Sequence, residues 1–161
     1  MPTADELRIL RTEIEADINA VGRLLIELGT ARGNVRGDPT EEQLAHVGYL
    51  LHSVYTGWES AFHRIATTFE NKLDAARWHE QLLLRMTLDI PRIRPAVIPP
   101  DALEHLAALK SFRHFFRYSY ATPLRWNKMQ LAVDSVDAAA APVQAALRQF
   151  LVAVEKIADQ S

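Results

Sequence analysis

The sequence predicts an all-α protein, folded as an antiparallel up-and-down bundle of about five helices. Apolar residues recur at spacings of three and four along most of the chain, and no stretch shows the sustained period-two alternation of a half-buried strand. Helix-capping residues begin several of these segments, and proline or glycine separates them. With 161 residues, of which 48% are hydrophobic, a single domain covering residues 1–161 can bury its own core.

The first two predicted helices have the most regular apolar stripes. The first begins with a capping-box pattern at Thr3 and Glu6, and residues 29–40, with three glycines and a proline, are predicted to form a loop. The second begins with Asp38 as N-cap and Pro39 as its first helical residue. The two stripes are Leu7, Leu10, Ile14, Ile18, Val21, Leu25 and Leu28, then Leu44, Val47, Leu51, Val54, Trp58, Phe62, Ile65 and Phe69.

Three further helices are predicted in the second half of the chain. The third covers about 74–88 and contributes Trp78 to the aromatic core, and a connection with four prolines follows it. The fourth begins at Asp101 and ends before Pro123. The last covers about 127–158 and is expected to bend at Pro142.

Composition excludes several kinds of site. The chain has no cysteine, which rules out disulfides and thiolate chemistry, and no apolar run approaches the ~20 residues of a membrane span. The acidic N-terminus does not resemble a signal peptide, so a cytoplasmic location is expected.

Histidines raise the question of a metal site. Glu42 with His46 and Glu59 with His63 are each one residue too long for the Glu-x-x-His pairs of di-iron bundles. A three-histidine site that starts at His46 or His52 would need a later histidine pair, and none follows His114. We therefore predict no metal and no cofactor, and place four histidines at the surface or at an interface: His46, His52, His63 and His79.

The distribution of charge is more informative than its total of −2. Residues 105–133 contain no Asp or Glu but five basic residues, which leaves the remainder of the chain at −7. An anion-binding face on an acidic body is one explanation, and chance clustering on a surface helix is the other.

A basic and aromatic cluster, residues 110–120, lies inside this segment. On an ideal helix Arg113, Arg117 and Tyr120 share one face, while Phe112 and Phe116 share an adjacent face that can pack inward. Guanidinium groups bind phosphate in a bidentate manner, and aromatic rings can stack on bases. The alternative is a solvated basic face above ordinary core phenylalanines.

The C-terminal part of the chain resembles the HepT-like branch of the HEPN ribonuclease toxins, small helical proteins paired with a minimal nucleotidyltransferase antitoxin. Residues 78–86, 93–98, 109–120 and Trp126 follow the order and spacing of that family, whereas the first 70 residues match mainly in helical layout. The family motif, Arg-x-x-x-x-His-x-Tyr, falls on Arg113, Tyr118 and Tyr120, with tyrosine in place of the motif histidine.

The resemblance implies a role for each of these residues. Arg113, Tyr118 and Tyr120 correspond to the catalytic motif of a metal-independent endoribonuclease, and Lys110, His114 and Arg117 are expected to contact the substrate. An unperturbed phenol titrates near pH 10, so Tyr118 is a poor replacement for an imidazole in proton transfer. His114 lies about 100° around the helix from Arg113, so it is not expected to substitute for the missing motif histidine at position 118.

Regulation and partners are also implied by the resemblance. Tyr120 corresponds to the tyrosine to which the antitoxin transfers AMP, and the family generally forms homodimers whose motifs face each other across a cleft. The sequence therefore predicts a toxin of a toxin–antitoxin pair that cleaves RNA weakly or not at all. The alternatives are a non-catalytic nucleotide- or RNA-binding partner of a nucleotidyltransferase and a purely structural adaptor.

Overall fold

Five α-helices form a bundle in the structure, a computed structural model that describes residues 1–70 and 75–161, without the side chains of 75–80. They are α1 (Ala4–Gly33), α2 (Glu41–Phe69), α3 (Ala75–Met86), α4 (Leu103–Arg117) and α5 (Trp126–Asp159), with a 3-10 turn at Pro100–Ala102. No strand occurs in the described ranges, so the predicted all-α bundle of about five helices is confirmed.

Contacts between helices show that neighbours run antiparallel. Val21 and Gly57 meet between α1 and α2, and a Cβ added at Gly57 would lie 2.4 Å from Val21 Cγ2. Between α1 and α5, Arg32 binds Asp137 at one end and Arg11 approaches Glu155 at the other. Glu27 with His46 and Asp17 with Arg64 give the same reversed order between α1 and α2, so α1 runs antiparallel to both α2 and α5.

Two predicted boundaries near the first loop are wrong. Helix α1 continues through Gly29 to Gly33, because Arg32 donates to Asp137 at 2.6 Å and Ala31 packs against the core. These contacts offset a helical cost of about 1 kcal/mol per glycine. The N-cap of α2 is Thr40 rather than Asp38, since Thr40 and Gln43 form a reciprocal capping box. The capping box predicted for Thr3 and Glu6 is confirmed.

The aromatic residues predicted for the core of α2 are buried. Trp58, Phe62 and Phe69 lie inside, whereas the side chain of Trp78, like that of His79, is outside the described residues. Trp58 Nε1 donates to Gln144 of α5, and Gln144 Nε2 donates to the Ile18 carbonyl of α1, so one hydrogen-bonded chain joins three helices. Helix α5 is continuous through Pro142.

A buried ionic cluster joins the proline-rich connection to the end of α2. Arg94, 3% exposed, donates to Glu70 Oε2 from Nε at 3.0 Å and from Nη2 at 2.9 Å. It also donates to the carbonyls of Leu88, Pro95 and Arg85, while the Arg85 guanidinium binds the other oxygen of Glu70. Because every one of these groups has a partner, the connection is ordered without a regular helix.

No helix in the described part of the chain combines the length and the apolar character needed to cross a membrane.

Candidate functional site

The basic and aromatic cluster lies at the C-terminal end of α4. The helix ends at Arg117, and Tyr118 is its C-cap with φ −108° and ψ 17°. The amide N–H groups of Tyr118 and Ser119 donate to the carbonyls of Phe115 and Phe116, so the chain turns here. Tyr120 therefore lies beyond the helix, and the prediction that it shares a helical face with Arg113 and Arg117 is wrong. The turn separates Tyr120 from the two arginines with which a continued helix would have aligned it.

Arg113 is held by two residues of α2. Its Nη1 and Nη2 donate to Oε1 and Oε2 of Glu59 at 2.6 and 3.0 Å, in a bidentate ion pair. The Arg113 guanidinium carbon also lies 4.9 Å from the centre of the Tyr55 ring, in cation–π geometry. Arg113 is thus largely enclosed. The sequence predicted a surface that presents both guanidinium groups, and of the two arginines only Arg117 is exposed.

Tyr55 supports the ion pair from the protein interior. Burial is the main reason that its pKa lies well above the ordinary value, and the negative charge of Glu59 adds to the effect. The phenol consequently stays protonated at physiological pH and can hydrogen-bond the carboxylate. Glu59, Tyr55 and Arg113 therefore form a rigid unit that fixes the position of the guanidinium.

Helices α2 and α4 pack closely beside Glu59, Tyr55 and Arg113. A Cβ added at Gly48 would lie 2.7 Å from the Phe116 ring, so only glycine lets this ring reach α2 without a shift. The Phe116 ring also contacts His52 at 5.6 Å between centroids and stacks on Phe112 at 6.0 Å. Gly48, His52, Tyr55 and Glu59, at spacings of four, three and four, are the stripe of α2 that faces α4.

His52 is the ionisable group of that stripe closest to the exposed end of α4. Desolvation by the packed helices is the main cause of its lowered pKa, and the positive charges of Arg113 and Arg117 lower it further. Its Nδ1 is buried and has no hydrogen-bond partner. The imidazole is therefore neutral at neutral pH.

The remaining side chains of the cluster are exposed. Lys110, His114 and Arg117 all reach solvent on α4, and the exposed fractions of Tyr118 and Tyr120 are 52% and 86%. The rings of His114 and Tyr118 contact each other with centroids 5.0 Å apart. The structure thus brings His114 to Tyr118 and leaves Tyr120 without a ring partner among the described residues.

An apolar groove of about 660 Å³ runs between α4 and α5 beside the cluster. Phe112, Phe115 and Leu131 line it, and the side chain of Leu131 is 70% exposed. The ammonium group of Lys128 lies 5.3 Å from the centre of the Phe115 ring at this groove. The groove offers apolar surface that the bundle itself does not cover.

Sequence reasoning missed the contribution of α2 to this site. Glu59 was weighed as a metal ligand and His52 as a surface or interface residue, whereas both face the arginines of α4. The signal available in the sequence was the helical spacing of Gly48, His52, Tyr55 and Glu59, which form a second stripe on α2 offset from its apolar stripe. In the described ranges, no group of three or more histidine, aspartate or glutamate side chains is placed to hold a metal ion.

Fold and site together define a small helical-bundle protein that carries a fixed arginine, an exposed arginine and a pair of exposed tyrosines at the end of one helix. The family model described as HepT-like protein matches residues 46–154, about two thirds of the chain. The chain therefore belongs to the HepT-like family, as its sequence pattern predicted. No curated protein and no solved structure matches it.

Proposed function

We propose that this chain is a HEPN-type endoribonuclease toxin of a toxin–antitoxin pair, acting on cytoplasmic RNA without metal and weakened by Tyr118. The observation that carries the proposal is the position of Arg113, Tyr118 and Tyr120 at the end of α4, inside the range that matches the HepT-like family. The exposed cations of the same segment, Lys110 and Arg117, supply the charge that an RNA backbone requires.

The proposed chemistry assigns one task to each position. In the intact family motif the residue at 118 would take the proton from a ribose 2′-hydroxyl, while Arg113 stabilises charge on the phosphate and Arg117 with Lys110 holds the backbone. His114, in ring contact with Tyr118, contacts the substrate beside it. Tyrosine at 118 puts a phenol, a poorer proton acceptor than an imidazole, in the proton-transfer position, which is why cleavage is weak.

The ion pair of Arg113 gives this mechanism a defined first step. Glu59 presents two oxygens to the guanidinium, and a phosphate presents the same bidentate pattern. We propose that the RNA phosphate takes over one or both of these hydrogen bonds. Glu59 then sets the orientation of Arg113 in the free protein and competes with the ligand for it.

Tyr118 itself favours a second candidate function, a non-catalytic nucleotide- or RNA-binding partner of a nucleotidyltransferase. The basic segment would bind RNA in either case, and only the first candidate cleaves it. Binding without cleavage, also after an imidazole is placed at 118, would select the second candidate.

RNA binding is expected to depend on Arg117. Arg117→Ala removes an exposed cation, so the affinity for a single-stranded RNA oligonucleotide should fall. The slope of log K against log salt concentration should also fall by about 1, because one phosphate contact is lost. Fluorescence anisotropy at several salt concentrations measures both quantities.

Arg148→Ala is the matched control, since Arg148 is an exposed arginine on α5 outside the basic segment. It removes the same charge and should leave affinity and slope close to those of the wild type. Equal losses in the two variants would mean that binding follows net charge alone and would contradict the proposed site.

Tyr120 is the proposed site of regulation by AMP transfer from a partner nucleotidyltransferase. Its side chain is 86% exposed on the turn after α4, so a modifying enzyme can reach it. A phosphodiester-linked adenylate there would bring negative charge and bulk to the basic segment, three residues from Arg117, and would compete with RNA phosphate.

Intact-mass spectrometry tests the assignment after incubation with the nucleotidyltransferase and ATP. The wild type and Tyr118→Phe should gain one or more adenylate groups, and Tyr120→Phe should gain none. Tyr118→Phe is the matched control because both tyrosines are exposed and lie two residues apart. An adduct that persists in Tyr120→Phe would show that another residue is modified.

A homodimer is proposed to complete the site. Two copies would double the number of guanidinium groups along one RNA groove, and the apolar surface between α4 and α5 is available for such a contact. Sedimentation equilibrium should give twice the chain mass of 18.2 kDa. A mass that stays at one chain across micromolar concentrations would rule out the homodimer.

A further inference from the structure

We propose that His52 is the general base of this chain, because helix α2 places its imidazole against the Phe116 ring, on the same stripe of α2 that holds Arg113. The inference rests on the proposed ribonuclease function and adds a catalytic residue to it. His52 would supply the proton acceptor that position 118 lacks.

Geometry places His52 at the motif although 61 residues separate it from Arg113. It lies one turn from Tyr55 and two turns from Glu59 on the stripe of α2 that holds Arg113. Its ring contacts Phe116, which immediately precedes Arg117. Since Nδ1 is buried without a partner, Nε2 is the nitrogen available to a bound ligand.

The surroundings keep this imidazole in its basic form. Desolvation and the charges of Arg113 and Arg117 lower its pKa, so the ring is uncharged at neutral pH and keeps one unprotonated nitrogen. On α1 the charged groups that meet α2 are paired at other positions, Glu27 with His46 and Asp17 with Arg64. On α2 itself, Glu59 is engaged by Arg113. A neutral imidazole beside two cations can accept a proton and can approach a phosphodiester without repelling it.

The reaction follows from these groups and balances without a further reactant. His52 Nε2 accepts the proton of the ribose 2′-hydroxyl, and the 2′-oxygen attacks the adjacent phosphorus. The bond from phosphorus to the 5′-oxygen breaks, that oxygen takes a proton from water, and the hydroxide so formed takes the proton back from His52. The products are a 2′,3′-cyclic phosphate and a free 5′-hydroxyl, while Arg113 and Arg117 stabilise the additional negative charge on the phosphoryl oxygens.

The test compares His52→Gln and His52→Phe with the wild type, using end-labelled single-stranded RNA under single-turnover conditions. Both variants should cleave about a hundredfold more slowly, in keeping with the loss of general-base catalysis. His52→Phe keeps an aromatic contact with Phe116, so a loss shared by both variants is not a packing effect. His46→Gln, which changes an exposed histidine of the same helix, should retain the wild-type rate.

A pH profile separates a catalytic role from a structural one. For the wild type, kcat/KM should rise with pH on the acid side, level off below the ordinary histidine pKa, and stay constant through neutrality. This rise of kcat/KM on the acid side should be absent from both His52 variants. Their affinity for RNA and their melting temperatures should remain near the wild-type values.

Three results would overturn the inference. Unchanged rates in both His52 variants would remove His52 from the mechanism and leave the proposed ribonuclease function intact. Cleavage by Tyr118→His but not by the wild type would show that His52 does not act as a base. Absence of cleavage by both the wild type and Tyr118→His would reject the ribonuclease function itself, and the role of His52 with it.

Discussion

Tyr118→His is expected to raise the rate of RNA cleavage by about two to four orders of magnitude, the range that general acid–base catalysis contributes. Residue 118 caps α4 through its backbone and is half exposed, so the smaller imidazole can be accommodated without repacking the core. An imidazole is an effective proton acceptor at neutral pH, and a phenol is a poor one. Single-turnover cleavage of a labelled RNA, with and without a metal chelator, measures the change.

Tyr118→Phe is the control for this prediction. It removes the hydroxyl group without adding a proton acceptor, and it keeps an aromatic ring beside His114. Its rate should equal that of the wild type if Tyr118 has no catalytic role and should fall if the phenol supports slow cleavage. Equal rates for the wild type and Tyr118→His would contradict the reading of Tyr118 as a weakening replacement.

Arg94→Met is expected to lower the free energy of unfolding by about 3–5 kcal/mol, because it leaves the Glu70 carboxylate buried with part of its compensation removed. Arg94 makes two hydrogen bonds to Glu70 and three to backbone carbonyls, and both side chains are almost fully buried. For a domain of this size the melting temperature should fall by roughly 10 °C. Thermal unfolding followed by circular dichroism gives this value.

Arg8→Met is the matched control, since Arg8 forms an exposed ion pair with Asp5 at 3.1 Å. Exposed pairs contribute at most about 1 kcal/mol, so the melting temperature should change little. Combining Arg94→Met with Glu70→Leu should recover part of the loss, because the buried charge is removed with its partner. If Arg94→Met melts at the wild-type temperature, the cluster is not a determinant of stability.

Most of the fold could be predicted from the sequence because its signals are local. The apolar stripes of α1 and α2 give the helical faces directly, and the capping box at Thr3 gives the start of α1. The predicted N-cap of α2 was wrong although its capping box, Thr40 with Gln43, is local, whereas the predicted end of α1 was wrong because a contact distant in sequence decided it. Arg32 extends α1 through two glycines by binding Asp137, which is 105 residues away.

The candidate site could be predicted only in part. Its cations and tyrosines on and after α4 are recognisable from their spacing and from the family motif. The contacts and the exposure of each side chain are not. Arg113 has a bidentate partner in Glu59, 54 residues earlier, and no sequence pattern connects the two. The continued helical periodicity that placed Tyr120 beside Arg117 is interrupted by the turn at Tyr118.

The sequence by itself determined the helical class, the buried faces of the long helices and the segment that carries the family motif. Each of these follows from a repeat of three or four residues or from a short run of side chains, which act within one or two turns. The tertiary structure decided that Arg113 is held by Glu59, that His52 packs against Phe116 on the stripe of α2 that holds Arg113, and that Arg94 is buried. Those contacts depend on the axial register between packed helices, which is set by side-chain fit such as that of Phe116 against Gly48 and is not encoded in either helix alone.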